Sequence, residues 1–172
     1  MPTTLDDWLV ICKTPKQAIE HLRDVRTIED SIMAKTPYMS SIRKQMGEKY
    51  ALGHIKMWLI YLQANLNIKN KLDDDMVDLC AETILNDYWS ISIGDMKIIV
   101  TNALKGHYGE FFESISIPKI LSWVDSYISE RLNKVAAQSQ SENYYHKSEE
   151  SGWKIGGRTK NYLTDTERSL LK

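Results

Sequence analysis

Leu52-Gly53-His54-Ile55-Lys56-Met57-Trp58-Leu59-Ile60-Tyr61-Leu62-Gln63-Ala64-Asn65-Leu66 carries the strongest structural signal in the chain. Leu52, Ile55, Leu59, Leu62 and Leu66 recur at alternating steps of three and four, the spacing that lines one face of an α-helix. Upstream, the pattern extends to Ser40. The spacing therefore predicts one long helix over residues 40–66, loosened at Gly47 and Gly53. Tyr50–Leu62 is the longest apolar stretch, but it is short and interrupted by His54 and Lys56, so no membrane span is expected.

On the N-terminal side, Leu5, Trp8, Leu9 and Cys12 keep helical spacing. Thr14 then reads as an N-cap with Pro15 at the first helical position, ahead of the apolar stripe Ala18, Ile19 and Leu22. A third segment around Ile28, Ile32 and Met33 stops before Pro37. On the C-terminal side, Asp73 can cap a helix whose first turn holds Asp74 and Asp75, with Leu72 stapled onto Val77. Val77, Cys80, Ala81, Ile84 and Tyr88 form its apolar face. Ser92-Ile93-Gly94-Asp95 resembles a capping box, opening a helix through Lys105 that Gly106 ends. Pro118 opens a last helix with the stripe Leu121, Val124, Ile128, Leu132 and Val135. Ile91–Ile93 and Ile115–Ile117 alternate with serine, but each is too short to build a sheet. These patterns predict an all-α fold: a compact helical domain of about six helices over residues 4–137. Residues 138–172 contain few large aliphatic side chains and are expected to form a flexible polar tail. Tyr144, Tyr145, Trp153 and Tyr162 in that tail suggest that it docks on a partner or on its own domain.

At 172 residues, with 42% hydrophobic and 26% charged side chains, the chain suits one domain. The N-terminus lacks a basic region and an apolar signal core, so a cytoplasmic protein is expected. Two cysteines cannot make a disulfide framework. Cys12 and Cys80 fall on apolar stripes and are read as core thiols. Among His21, His54, His107 and His146 no two share helical ligand spacing, so neither zinc nor any other metal or cofactor is expected. Asp73, Asp74, Asp75 and Asp78 lack the central glycine and closing glutamate of a calcium loop, and helix capping accounts for them better. No phosphate-binding loop is present, and enzyme catalysis is not expected.

The net charge of −1 conceals strong sorting. Residues 35–71 carry seven basic groups against Glu48, and residues 72–95 carry seven acidic groups and no basic one. Arg43, Lys44, Lys49 and Lys56 are therefore candidate phosphate contacts, with Tyr38 and Tyr50 nearby for stacking. The alternative is a solvated helix face pairing with the acidic segment packed against it.

Residues 79–131 carry a recognisable order. It runs through Asn86-Asp87-Tyr88-Trp89 and Asp95-Met96-Lys97, then Asn102-Ala103-Leu104-Lys105-Gly106-His107-Tyr108-Gly109, and finally Trp123, Tyr127 and Glu130-Arg131. This order resembles an uncharacterised helical family of Bacteroides-type bacteria, their mobile elements and their phages. Within its Asn-Ala-x-x-Gly-x-Tyr-Gly turn, the Gly-x-Tyr-Gly block is the most specific part. Phe111-Phe112-Glu113-Ser114 departs from the Tyr-Asp-Arg-like run that the family tends to have. The resemblance implies a noncatalytic accessory or adaptor of phage or mobile-element DNA replication, helicase-loader-like, in the bacterial cytoplasm. A replication or phage-assembly protein would be its partner, with nucleic acid as a further candidate. The competing reading is a structural or packaging-associated phage protein. On either reading Gly106, His107, Tyr108 and Gly109, with Asp95, Lys97 and Asn102 on the preceding helix, form a partner-binding surface or a structural turn.

Overall fold

The computed structural model describes Pro2 and residues 4–109 and 114–158, with side chains described as far as residue 137. The helices are α1 (Leu5–Ile11), α2 (Pro15–His21), α3 (Ile28–Ala34), α4 (Met39–Met46), α5 (Glu48–Asn65), α6 (Asp74–Asp87), α7 (Ile93–Leu104) and α8 (Ile117–Arg158). The fold is helical, as the periodicity predicts, and among the described residues eight helices stand where about six were expected. Among the described residues the alternating Ile-Ser segments give only isolated bridges, Tyr38 to Ser92 and Asn70 to Ser114. No helix among those residues is long and apolar enough to cross a membrane.

Local chemistry sets the helix starts. Thr14 accepts from the Gln17 N–H with Pro15 at the first position, and Asp73 accepts from the Met76 N–H. Thr4 with Asp7, Thr27 with Asp30 and Ser92 with Asp95 make reciprocal capping boxes. Each leaves fewer orphan N–H groups at its helix end.

The expected helix over residues 40–66 is two helices. Gly47 adopts φ +95°, which no α-helix accommodates, and it ends α4 while starting α5. Gly53, by contrast, sits inside α5 without interrupting it. The buried face of α5 is Ala51, His54, Ile55, Trp58, Leu59 and Leu62, which leaves Leu52 and Leu66 half-buried at its margins. A methyl group built on Gly53 meets no atom within 4 Å. Gly53→Ala is therefore expected to raise stability by about 0.5–1 kcal/mol through helix propensity and loss of unfolded-chain freedom. A higher melting temperature by circular dichroism would show it; a lower one would mean that the methyl meets an obstacle.

Helix α5 packs against α2, α4, α6 and α7, and α7 also packs against α2 and α3. Every residue from Ile91 to Val100 is buried, so the first half of α7 is enclosed on all sides. This enclosure fixes the environment of the two charged residues it contains, Asp95 and Lys97.

The chain divides into two units, Met1–Arg131 and Leu132–Lys172. The boundary lies inside α8, six residues before the one expected from composition. Leu132 and Val135, expected on a buried stripe, are instead exposed, because the first unit ends at Arg131. Helix α8 continues to Arg158 through a segment that composition alone reads as a flexible tail. That segment is poor in apolar residues but holds no proline, so its composition does not bar a helical backbone. The docking expected of Tyr144, Tyr145, Trp153 and Tyr162 concerns side chains outside the described residues, as does the Phe111–Glu113 departure.

Candidate functional site

Helix α7 begins with a local cap that becomes a long-range junction. Asp95 Oδ2 accepts from the Ser92 N–H at 2.9 Å, closing the capping box. The other oxygen, Oδ1, accepts from Ser31 Oγ of α3 and from the Tyr127 hydroxyl of α8, both at 2.7 Å. Arg131, one turn after Tyr127 on α8, places its buried Nε 3.5 Å from the same oxygen, at ion-pair distance but without a hydrogen bond. The Arg131 guanidinium also donates to the Tyr38 hydroxyl at 3.3 Å and lies over the Tyr38 ring. Asp95 is 0% exposed and its carboxylate is thus surrounded by donors. Burial, followed by the charge of Asp95, pushes the Tyr127 phenol well above its ordinary pKa, so it remains a donor.

Beside this junction Gly94 donates its N–H to Thr36 Oγ1 at 2.9 Å. A Cβ there would stand 2.8 Å from Ser31 Oγ, so the close approach of α3 needs glycine. Lys97 is buried as well and donates to the Val25 carbonyl. Burial lowers its pKa, and Lys105 and Arg26 lower it further. Asp95 and Lys97 therefore cannot belong to an accessible partner surface. An enclosed helix must pair its charges inside the protein, and both residues are structural.

The glycine turn after α7 is a helix stop. Gly106 has φ +76°, and its N–H donates to Ala103 O at 3.0 Å while the His107 N–H donates to Asn102 O at 2.9 Å. These two bonds are the paired closure of a Schellman motif. Gly109 also has positive φ, +96°. Tyr108 is half-buried and stacks on Trp123 of α8 with ring centroids 5.5 Å apart, and its hydroxyl is hydrogen-bonded by Asn102. His107 is exposed, edge-on to the Tyr108 ring. Asn102, Gly106 and Tyr108 thus join α7 to α8, leaving His107 and the backbone of Gly109 as the outward part. Gly106→Ala is expected to destabilise by about 1 kcal/mol or more, because alanine pays for positive φ. An unchanged melting temperature would remove the cap assignment.

The four basic candidates do not form one free surface. Arg43 donates to Glu48 at 3.0 Å and to Asn86 of α6 at 3.2 Å. Lys56 pairs with Asp78 of α6 at 2.6 Å. Lys44 and Lys49 are exposed and have no ion pair among the described residues. Two free cations predict a salt slope for duplex DNA no steeper than about −2, at roughly 0.9 per phosphate contact. A titration of a labelled oligonucleotide checks this, and a slope near −4 would mean that all four cations reach phosphate.

Cys12 and Cys80 are fully buried, and burial pushes both thiols up to about 11. Among the described residues no group of three or more His, Cys, Asp or Glu could hold a metal ion. Sequence reasoning missed Ser31, Thr36, Tyr127 and Arg131 as members of the α7 junction. The available signal was a carboxylate inside a run that is otherwise apolar, with a Tyr-x-x-x-Arg pair on a later helix. Comparison with known protein families, curated proteins and solved structures gave no match.

Proposed function

We propose that this chain is a noncatalytic adaptor of DNA replication in a phage or mobile element of Bacteroides-type bacteria, acting through protein contacts. The observation that supports contact with protein is the outer face of α6. Met76 and Leu79 are exposed there by 46% and 56%, among the exposed carboxylates of Asp74, Asp75, Asp78 and Glu82. An apolar pair within an acidic field repels nucleic acid and suits a basic protein surface with an apolar centre. The assignment to replication draws on the resemblance of residues 79–131.

The test is affinity capture of the full chain from its native host, beside the variant Leu79→Glu with Met76→Glu. Recovery of a replicative helicase or primase by the wild-type chain, lost with the variant, is the expected result. Recovery of capsid or portal proteins would overturn the replication role in favour of virion assembly. Capture unaffected by the variant would remove α6 as the contact face.

A further inference from the structure

A second feature of the first unit uses residues of neither α6 nor the α7 junction. Leu9 of α1, Lys13 of the following turn, and Lys49, Tyr50, Gly53, His54 and Met57 of α5 line a cavity of about 430 Å³. This size falls within the range of small-molecule sites. Its lining includes two lysines and no carboxylate, and neither lysine has an ion pair among the described residues. The remaining surface is largely apolar, supplied by Leu9, Met57 and the Tyr50 ring.

Gly53 makes room. Glycine inside a helix is unfavourable relative to alanine. Here no neighbour requires it, because a Cβ would meet nothing within 4 Å. What its bare backbone provides is space beside the two cations. His54 adds a polar wall that is only 8% exposed, and its buried Nε2 finds no partner within the described residues. Burial holds that imidazole neutral, with a pKa lowered to about 4, leaving the positive charge to Lys13 and Lys49.

We propose that this cavity binds a small organic monocarboxylate, its apolar or aromatic body over Leu9, Gly53 and Met57 and its carboxylate at Lys13 and Lys49. One anionic end for the two cations and an apolar body for the floor match a lining that is largely apolar and holds no carboxylate. The ligand chemistry is thus set by cationic lysines at an apolar floor, and it is independent of the adaptor role.

The experiment follows the Met57 methyl resonance of the full chain, labelled with ¹³C-methyl methionine, during titration with 4-phenylbutyrate and with the neutral 4-phenylbutanol. Saturable shifts with the carboxylate, at least tenfold tighter than with the alcohol, are expected. Lys13→Gln with Lys49→Gln, both at exposed positions, should abolish that preference. Gly53→Leu should abolish binding of both compounds while the melting temperature holds or rises. Equal affinity for acid and alcohol in the wild-type chain, or no saturable shift, would overturn the proposal. So would wild-type affinity in the folded Gly53→Leu variant. Should that variant fail to fold, the paired lysine substitution alone decides.

Discussion

Asp95→Ala is expected to lower the stability of the first unit by about 3–5 kcal/mol, the range for removing one partner of a buried ion pair. The substitution removes the acceptor of the Ser31 and Tyr127 hydroxyls and of the Ser92 N–H at one stroke. It also leaves Arg131, whose side chain is only 10% exposed, without its counter-charge. Since a whole domain is stable by about 5–15 kcal/mol, such a loss brings it near unfolding at physiological temperature. Asp95→Asn should be damaging too, because the amide lacks the charge that faces Arg131, and its nitrogen would either meet the Ser92 N–H or force the Ser31 and Tyr127 hydroxyls to turn from donors into acceptors. Arg131→Met should cost less, since the carboxylate keeps three neutral donors. Urea unfolding of the two single variants and their combination would give the coupling between residues 95 and 131. A loss below about 1 kcal/mol for Asp95→Ala would mean that Arg131 escapes to water and that the junction does not hold α3, α7 and α8 together.

The same residue shows what sequence could and could not reveal. Ser92-x-x-Asp95 is legible as a capping box because both members act within one turn. That accounts for one oxygen of the carboxylate. The partners of the other oxygen lie 64 and 32 positions away, on helices whose mutual packing no periodicity encodes. Asp95 and Lys97 consequently read as either a partner-binding surface or a structural turn, although the Ile98-Ile99-Val100 run beside them points to an enclosed helix. The two glycines of the 40–66 stretch illustrate a similar limit. Gly47 breaks the helix and Gly53 does not, yet both are equally able to adopt positive φ. Which one does so is decided by how α4 and α5 pack, beyond the reach of local propensity. The charge sorting was more informative: Lys56 and Asp78 join α5 to α6 as the two oppositely charged segments suggested. The cavity at His54 was hidden for a similar reason, since its residues come from two separate pieces of chain and match no motif.

Mild acid should destabilise the fold through His54, and the direction follows from its burial. Burial penalises the imidazolium and lowers the folded-state pKa from 6.5 to about 4. Between those values the unfolded chain binds a proton that the folded chain refuses. The linkage relation then makes unfolding free energy rise with pH, so stability is lost as pH falls from about 6.5 towards 4. A shift of that size corresponds to roughly 3 kcal/mol, at about 1.4 kcal/mol per pH unit. The charged groups facing the same cavity, Lys13 and Lys49, are cations, and neither offers the imidazolium a counter-charge. One capping carboxylate acts elsewhere on the pH scale. Asp30, held below its usual pKa by the backbone N–H groups of Arg26 and Thr27, contributes stability that is lost only as pH falls below the ordinary carboxylate value of 3.8. The interval from pH 7 to 4.5 therefore separates the histidine from that carboxylate. His54→Leu fills similar space without a titrating group or an unpaired ring nitrogen, and should flatten the dependence across that interval. Urea midpoints at half-unit pH steps for both proteins measure it. An equally steep slope in His54→Leu would place the acid sensitivity on another group and end the claim that the buried imidazole is held neutral.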